Sequence, residues 1–300
     1  MDILYPFRRI YWYFKPYLVQ YLMHHNLQGL ASLLYHDRLH RRINWKHPHD
    51  LNEKINWLSF KTNTSMWTRC ADKYRVREYV KECGCEEILV PLYGVWEQAS
   101  DIDFSSLPDK FVIKTNHGCG DVFVVKDKSS INQTLIREKL QRAIETPFGR
   151  ELAEPHYLKI PPCIICEQLL EDGVNENPVD YKVWCFNGRP HYILTVSERN
   201  IHTHEFKLNL FDTQWKRLDE YMSPQYRNHV QVPKPQNFTQ MLEYARLLSE
   251  PFPQVRCDFY EINGQIYIGE LTFTSRSGRM DYFTLEALRT MGDLVTLPNF

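Results

Sequence analysis

Helical spacing of apolar residues dominates several stretches of the chain. Residues 71–82 (ADKYRVREYVKE) combine helix-forming residues with Tyr74, Tyr79 and Val80 at near-helical spacing, and Gly84 follows as a C-terminal stop. Asp50, with Glu53 three residues later, predicts the N-cap of an earlier helix. Similar spacing predicts helices over 131–144 and 238–248.

From Lys110 onwards, apolar and polar positions follow the period of two that is typical of strands. Asn187-Gly188 and Asn263-Gly264 each separate two such runs, which predicts two tight hairpins. The strands predicted in this way cover residues 88–93, 111–114, 122–125, 160–170, 180–186, 191–196 and the two arms of 255–273. Because hairpins alternate with helices, we expect an α+β fold and not a doubly wound parallel sheet.

The first 48 residues read as a separate helical extension. Arg8, Arg9 and Lys15 are mixed with many aromatic residues, and Pro48 marks the break after this region. We expect the extension to pack on the protein's own core; an aromatic amphipathic helix lying on a membrane surface is the alternative. No run approaches the ~18 apolar residues of a membrane span. We therefore expect a cytoplasmic protein, with peripheral contact to the inner membrane as the open alternative.

Charge and cysteine content narrow the classes of function. The 36 Lys and Arg residues balance 37 Asp and Glu residues, so the chain of 300 residues has no overall positive field for nucleic acid. Any phosphate chemistry must then use local charge. Cys163 and Cys166 form a CxxC, but they lie in an apolar run, which favours small buried residues in a reducing compartment over a zinc site.

A glycine loop is the first candidate for chemistry. Gly118-Cys119-Gly120 lies between two predicted strands, so that its backbone could approach a ligand closely, and Lys114 ends the preceding strand. No GK[ST] follows, as in a Walker A loop, and a strand follows where a dinucleotide fingerprint needs a helix. From these residues alone, the loop can be either an ordinary turn or a phosphate-binding loop.

The hairpin after Val255 is the second candidate. Arg256 and Asp258 share one strand face, but the position of Glu270 depends on the turn. A two-residue turn would pair Cys257 with Glu270 and send Glu270 to the opposite face; a three-residue turn with a bulge at Gly264 would place it across from Arg256 and beside Asp258. Two converging carboxylates suit Mg²⁺, whereas a surface ion pair of Arg256 with Glu270 is the plainer alternative.

Two further strands carry isolated polar residues. Glu167 closes an apolar strand and could accept a hydrogen bond from a ribose, while Asp180 and Lys182 share a face of the next strand. Both patterns are also those of ordinary solvated strand faces.

Taken in order, these features resemble the ATP-grasp superfamily, and most closely the TupA-like ATP-grasp amidoligases of bacterial polysaccharide biosynthesis. The likeness runs from about residue 49 to about residue 280. The segments that carry it are 52–57 (NEKINW), 71–80 (ADKYRVREYV), 111–118 (FVIKTNHG), 180–183 (DYKV) and 269–273 (GELTF).

The resemblance implies a nucleotide clamped between two α+β subdomains: a pre-ATP-grasp region over 49–108, a small lid subdomain over 109–166 and a large subdomain with the metal site over 167–300. It assigns the α-phosphate to Lys114, the lid to Gly118 and Gly120, and triphosphate or acyl-phosphate contacts to Lys182 and Arg256. The adenine and ribose hinge would be Glu167, Gln168, Leu169 and Leu170. Asp258, Glu270 and Thr272 would hold Mg²⁺; because the superfamily often has Asn at the position of Thr272, one and two ions both stay open.

The activity that the resemblance implies is amide formation from ATP through an acyl phosphate. It would join an amino acid or other amine to a uronic-acid carboxylate of a capsular or cell-wall polysaccharide. The alternatives are a sugar kinase on the same nucleotide site, a non-catalytic ATP-binding scaffold, and a glycosyltransferase, whose metal motif only Asp101-Ile102-Asp103 could supply, from within a linker.

Overall fold

Two antiparallel sheets, one of four strands and one of five, form the frame of the computed structural model. It describes residues 5–118, 120–171, 173, 178–198 and 206–298, with side chains from residue 13 onwards. The helices are α1 (Tyr5–His25), α2 (Leu27–Leu39), α3 (Leu51–Lys61), α4 (Ser65–Ala71), α5 (Val76–Glu82), α6 (Gln133–Glu145), α7 (Phe238–Ser249) and α8 (Leu285–Asp293). The α+β class predicted from the hairpins is confirmed.

The smaller sheet has the order β1-β4-β2-β3, with strands β1 (Leu92–Trp96), β2 (Phe111–Thr115), β3 (Val122–Val125) and β4 (Ile164–Glu167). One face buries Phe111, Ile113 and Val125 against Ile136 and Leu140 of α6. Because β1 belongs to this sheet, the small sheet also takes in a strand from the region before residue 109.

The larger sheet has the order β7-β6-β5-β8-β9. Its strands are β5 (Asp180–Phe186), β6 (Arg189–Ser197), β7 (Lys207–Asp212), β8 (Gln254–Ile262) and β9 (Gln265–Thr272). Val183, Cys257 and Leu271 pack with Ala245 and Leu248 of α7 in the main core. Since neighbouring side chains alternate between faces, the other face of β5, β8 and β9 is left for polar residues.

The N-terminal extension is helical, but only part of it packs. Leu22 and Met23 of α1 contact Leu30 and Ala31 of α2 in a small separate core. An aromatic stripe on α1 stays exposed: Tyr13, Phe14, Tyr17 and Tyr21 keep 58–68% of their surface accessible. Along the described residues, no helix combines the length and the apolar composition that crossing a bilayer requires.

Three predicted elements differ from the structure. The helix over 71–82 is broken, because the Asp72 carboxylate accepts hydrogen bonds from the backbone N–H groups of Tyr74 and Arg75 and so stabilises a turn. The strand predicted over 88–93 begins only at Leu92, after a short 3₁₀ turn, and the strand predicted over 160–170 is limited to Ile164–Glu167. In both strands, apolar composition extended the prediction beyond the paired residues.

Candidate active site

The register of the β8–β9 hairpin places two carboxylates side by side. Asn263-Gly264 forms a two-residue turn with Ile262 opposite Gln265, as in the first of the two predicted arrangements. A bulge at Gly269 then shifts the register by one residue, so that Asp258 faces Glu270 directly. The structure therefore matches neither predicted arrangement in full. The turn has two residues, and the register shift that aligns the carboxylates comes from a bulge within β9.

Gly269 has a steric reason to be glycine. A Cβ at this position would lie 2.9 Å from the ring of Tyr260 and 3.4 Å from the carbonyl oxygen of Asp258. The bulge that aligns the carboxylates thus depends on a residue without a side chain.

Asp258 is buried between two cations. Arg256 donates to both of its carboxylate oxygens, Nε and Nη2 each at 2.6 Å, and Lys182 Nζ donates at 2.6 Å from the neighbouring strand. Burial raises the pKa of Asp258, and the charges of Arg256 and Lys182 oppose that rise. Burial also disfavours the charge of Arg256, but Asp258 outweighs it and raises the pKa of the guanidinium. The Arg256–Glu270 contact is a secondary one, at 3.5 Å.

Glu270 is the accessible carboxylate of the pair. Its side chain is 39% exposed, against 4% for Asp258. Thr272 donates its hydroxyl hydrogen to Glu270 at 3.0 Å. Desolvation alone would raise the pKa of Glu270, but the charges of Lys73, Lys182 and Arg256 lower it to about 2. Glu270 is therefore ionised across the physiological pH range.

Lys73 is a site residue that sequence reasoning missed. Its ammonium donates to the carbonyl oxygen of Gly118 at 2.8 Å, and its charge acts on Glu270. It thus connects the predicted lid to the carboxylate pair of the other sheet. The only signal was its place in the segment 71–80, which had been read as a plain helix.

Buried polar contacts fix the position of Lys73. The side-chain amide of Asn116, at the end of β2, donates to Asp72 at 2.9 Å and to the carbonyl oxygen of Pro161 at 3.0 Å. The backbone N–H of Lys73 bonds the carbonyl oxygen of Asn116 at 3.0 Å. Since Asp72 and Asn116 are almost fully buried, this network holds the start of the loop that contains Gly118 against the turn that carries Lys73.

The smaller sheet carries a different set of groups on the face that points away from α6. Lys114 Nζ lies 2.6 Å from the Glu167 carboxylate, and Arg77 lies 3.3 Å from the same side chain. Lys114 pairs across the sheet with Val122, and neighbouring Val112 pairs with Val124. Val122 and Val124 remain 47% and 52% exposed, so this face is an open apolar patch beside a lysine.

The remaining predicted residues lie in the segments that follow β2 and β4. Gln168, Leu169 and Leu170 follow β4 as half-buried residues outside any strand, and the Gln168 N–H bonds the carbonyl oxygen of Pro91. Gly118 is buried close to Thr115, while Gly120 is exposed with φ +101°. Cys119, between them, lies outside the described residues.

The donor set fits a hard divalent cation. Asp258, Glu270 and Thr272 present carboxylate and hydroxyl oxygens on adjacent strands, the ligand type that Mg²⁺ prefers when phosphate oxygens complete its shell. Arg256, Lys182 and Lys73 surround these oxygens with positive charge, which matches a triphosphate. Mg²⁺ bound there would replace part of the contact that the cations now make with the carboxylates.

A model of a known protein family matches most of the chain. The family model described as TupA-like ATPgrasp matches residues 53–296. No curated protein sequence matches the chain.

Among solved structures, the chain resembles D-alanine–D-alanine ligase from Bacillus anthracis at 15% identity, covering 76% of this chain and 64% of that one, with a TM-score of 0.41. The ligase of the same name from Helicobacter pylori gives 15% identity, 83% and 70% coverage, and 0.42. Biotin carboxylase from Campylobacter jejuni gives 13% identity, 83% and 54% coverage, and 0.48. The chain spans less than two thirds of the first and the third of these proteins. Because the family model matches most of the chain, the chain belongs to the TupA-like ATPgrasp family and has the ATP-grasp fold.

Proposed function

We propose that the protein joins a carboxylate to an amine and converts ATP to ADP and phosphate. The observation that carries this proposal is the β8–β9 register, which sets Asp258 opposite Glu270 with Arg256 and Lys182 in contact. A triphosphate with its Mg²⁺ needs paired carboxylates for the metal and several cations for the phosphate oxygens, and this surface offers both.

The nucleotide is proposed to lie between the two sheets. Val112, Val122 and Val124 offer an apolar surface for the base, and Lys114 on the same face would meet the α-phosphate. Glu167 would accept from the ribose and Gln168–Leu170 would border the base. The loop at Gly118 and Gly120 would cover the phosphates, with Lys73 joining it to the carboxylate pair.

The proposed chemistry has two steps. A carboxylate oxygen of the acceptor attacks the γ-phosphorus of ATP, the bond to the β,γ-bridging oxygen breaks, and an acyl phosphate and ADP form. The amine nitrogen then attacks the acyl carbon, phosphate leaves with the electrons of the C–O bond, and the nitrogen loses a proton. Mg²⁺, when bound, supplies charge neutralisation at the phosphates. Lys182 and Arg256 orient the transferred group and stabilise negative charge that develops on it.

The acceptor is proposed to be a uronic-acid carboxylate of a capsular or cell-wall polysaccharide, and the donor an amino acid or another amine. This assignment rests on the family. The charged face of the five-stranded sheet supports only the class of reaction. Activation of any carboxylate by ATP needs the same triphosphate site, so this face does not distinguish one acceptor from another.

Contact of the N-terminal helix with an anionic membrane surface is also part of the proposal. Residues 1–48 contain seven Lys and Arg against two Asp and Glu, a net charge of +5, whereas the whole chain has −1. The exposed stripe of Tyr13, Phe14, Tyr17 and Tyr21 is of the amphipathic aromatic type that favours bilayer interfaces. Co-sedimentation with vesicles that contain phosphatidylglycerol, but not with neutral vesicles, is the expected result, and equal binding to both would contradict it.

The test of the reaction is ADP release from Mg-ATP with uronic-acid sugars and a panel of amines. A ligase releases ADP in step with amide formation only when both substrates are present. ADP release with a sugar alone, accompanied by a phosphorylated sugar, would indicate the kinase. Glu270→Gln should abolish turnover, whereas Glu286→Gln, on the exposed first turn of α8, should leave it unchanged.

A further inference from the structure

The segment after β9 has a strained backbone. Arg276 and Ser277 both adopt left-handed conformations, with φ of 48° and 55°, and Gly278 follows at 65°. Each such non-glycine residue costs about 1–3 kcal/mol and persists only where the surroundings enforce it.

Buried contacts from two sides, helix α3 and Glu154, enforce this conformation. In α3, Asn56 donates to the carbonyl oxygen of Gly278 at 3.0 Å, and Asn52 exchanges two hydrogen bonds with the backbone of Met280. Thr274 donates to the buried Glu154 carboxylate at 2.5 Å. These contacts fix the direction in which the turn presents Arg276.

Two guanidinium groups meet at one carboxylate of this turn, and the third, of Arg279, donates to the carbonyl oxygen of Leu152 at 3.2 Å. Arg38 of α2 and Arg276 both reach the carboxylate of Asp281, at 2.5 and 3.9 Å. Burial lowers the pKa of Arg279; the charges of Arg276 and Arg38 lower it further, and Glu154 opposes them. Three cations thus lie close together beside two carboxylates, one of which, Glu154, is buried in surroundings that raise its pKa to about 7. The Arg276 side chain is still 49% exposed.

This arginine cluster, Arg38, Arg276 and Arg279, adjoins the proposed reaction site. Ser275, one residue before Arg276, accepts a hydrogen bond from Arg256 at 2.6 Å. Burial raises the pKa of the Tyr282 phenol, and the charges of Arg256 and Arg276 both oppose that rise. A molecule whose carboxylate lies at Arg256 can therefore extend towards Arg276.

We propose that the arginine cluster binds a second anionic group of the acceptor, a phosphate or a second carboxylate, next to the carboxylate that is activated. The inference rests on the proposed function and narrows its acceptor to molecules with at least two anionic groups. Guanidinium groups suit this role because their planar N–H donors bind phosphate and carboxylate oxygens in pairs.

The experiment measures binding to the full chain by calorimetry, without ATP, for three probes. These are methyl glucuronide with one anionic group, glucuronic acid 1-phosphate, and the methyl glycoside of a diuronide. We expect at least one two-anion probe to bind ten times more tightly than methyl glucuronide. Arg276→Ala and Arg38→Ala should abolish that preference, whereas Arg42→Ala, an exposed arginine in the same extension, should keep it.

The outcomes separate the alternatives. If only glucuronic acid 1-phosphate binds more tightly than methyl glucuronide, the second anionic group is a phosphate. If only the diuronide does, the second group is a carboxylate. Equal binding of the three probes, binding of none, or an unchanged preference in both Arg276→Ala and Arg38→Ala would overturn the inference. Because Arg38 lies outside the strained turn, its variant tests the site even where Arg276→Ala unfolds. Loss of ADP release with the preference intact would count against the proposed function alone.

Discussion

The two sheets of the protein differ in how many charged side chains they carry and in how deeply those side chains are buried. On the five-stranded sheet, Arg256 and Asp258 are buried, and Asp258 is bound at 2.6 Å both by Arg256 and by the partly buried Lys182. On the four-stranded sheet, Lys114 and Glu167 form a simpler pair beside Val122 and Val124, which are about half exposed. One surface carries several charged groups that are bound to one another, and the other combines an ion pair with exposed apolar side chains.

Under the proposed function, the difference corresponds to the two ends of a nucleotide. Charges that are already fixed by partners need little rearrangement when a phosphoryl group develops charge in transfer. A base needs apolar contact area and a few polar groups at its edge. We therefore expect substitutions on the five-stranded sheet to remove turnover, and those on the four-stranded sheet to weaken ATP binding.

Asp258→Asn, like Glu270→Gln, should have a very large effect. It leaves Arg256 and Lys182 in a buried site without their main counter-charge, so we expect turnover to fall by about a thousandfold and the free energy of unfolding by about 3 kcal/mol. Steady-state ADP release and urea unfolding measure the two losses. If this variant kept both the turnover and the stability of the wild-type protein, the role given to the charged five-stranded sheet would be contradicted.

Lys114→Ala should come next, with its loss mainly in ATP affinity. Removing one phosphate contact should raise the KM for ATP by roughly a hundredfold, equivalent to about 3 kcal/mol. The fold should remain intact, because a partly exposed lysine contributes little to stability. If kcat fell and KM did not change, Lys114 would belong with the chemistry and not with nucleotide binding.

Lys73→Ala tests the link between the sheets. It removes the bond to the lid carbonyl of Gly118 and one of the charges on Glu270. We expect about a tenfold loss of kcat/KM for ATP, the size of one charge-assisted hydrogen bond. Lys81→Ala, which changes an exposed lysine of α5, is the matched control. Equal kinetics for the two variants would mean that the link plays no part in closure.

Glu154→Gln should affect activity least and the pH dependence of stability most. Burial raises the pKa of Glu154 to about 7, against opposing contributions from Thr274, Arg279 and Ser277, while Glu270 adds to the rise. A raised pKa in the folded state gives stability that is full below the ordinary pKa near 4.5 and is lost as the pH rises through 7.

Wild-type protein should therefore lose about 3 kcal/mol between pH 5 and pH 8 from this group. The Gln variant should lack that part of the decline. Urea unfolding at both pH values measures the difference, and parallel declines in the two proteins would show that Glu154 is not held protonated.

Local sequence patterns predicted the α+β class, whereas the ATP-grasp fold and the roles of the charged residues came from the resemblance to the family, and those roles stay predictions. The Asn-Gly turns located the two large hairpins, and the Arg256–Asp258 spacing put both side chains on one face. The register was not predictable, since nothing local to the turn reveals that Gly269 bulges within β9.

Residues that act through distant contacts were also missed. Lys73 acquires its place through Asp72 and Asn116, which are 44 positions apart in sequence. The turn at Arg276 is set by Asn52 and Asn56, more than 200 positions earlier. Such pairs become visible only once the chain is folded.

The central claim is that the Asp258–Glu270 pair holds the metal of a metal–triphosphate complex. Titration calorimetry with the non-hydrolysable analogue AMP-PNP, with and without Mg²⁺, tests it most directly. The wild-type protein and Glu286→Gln should bind the analogue at least ten times more tightly with Mg²⁺, and Glu270→Gln should bind it equally in both conditions. If Glu270→Gln bound the analogue with the same dependence on Mg²⁺ as the wild-type protein, the account would be contradicted.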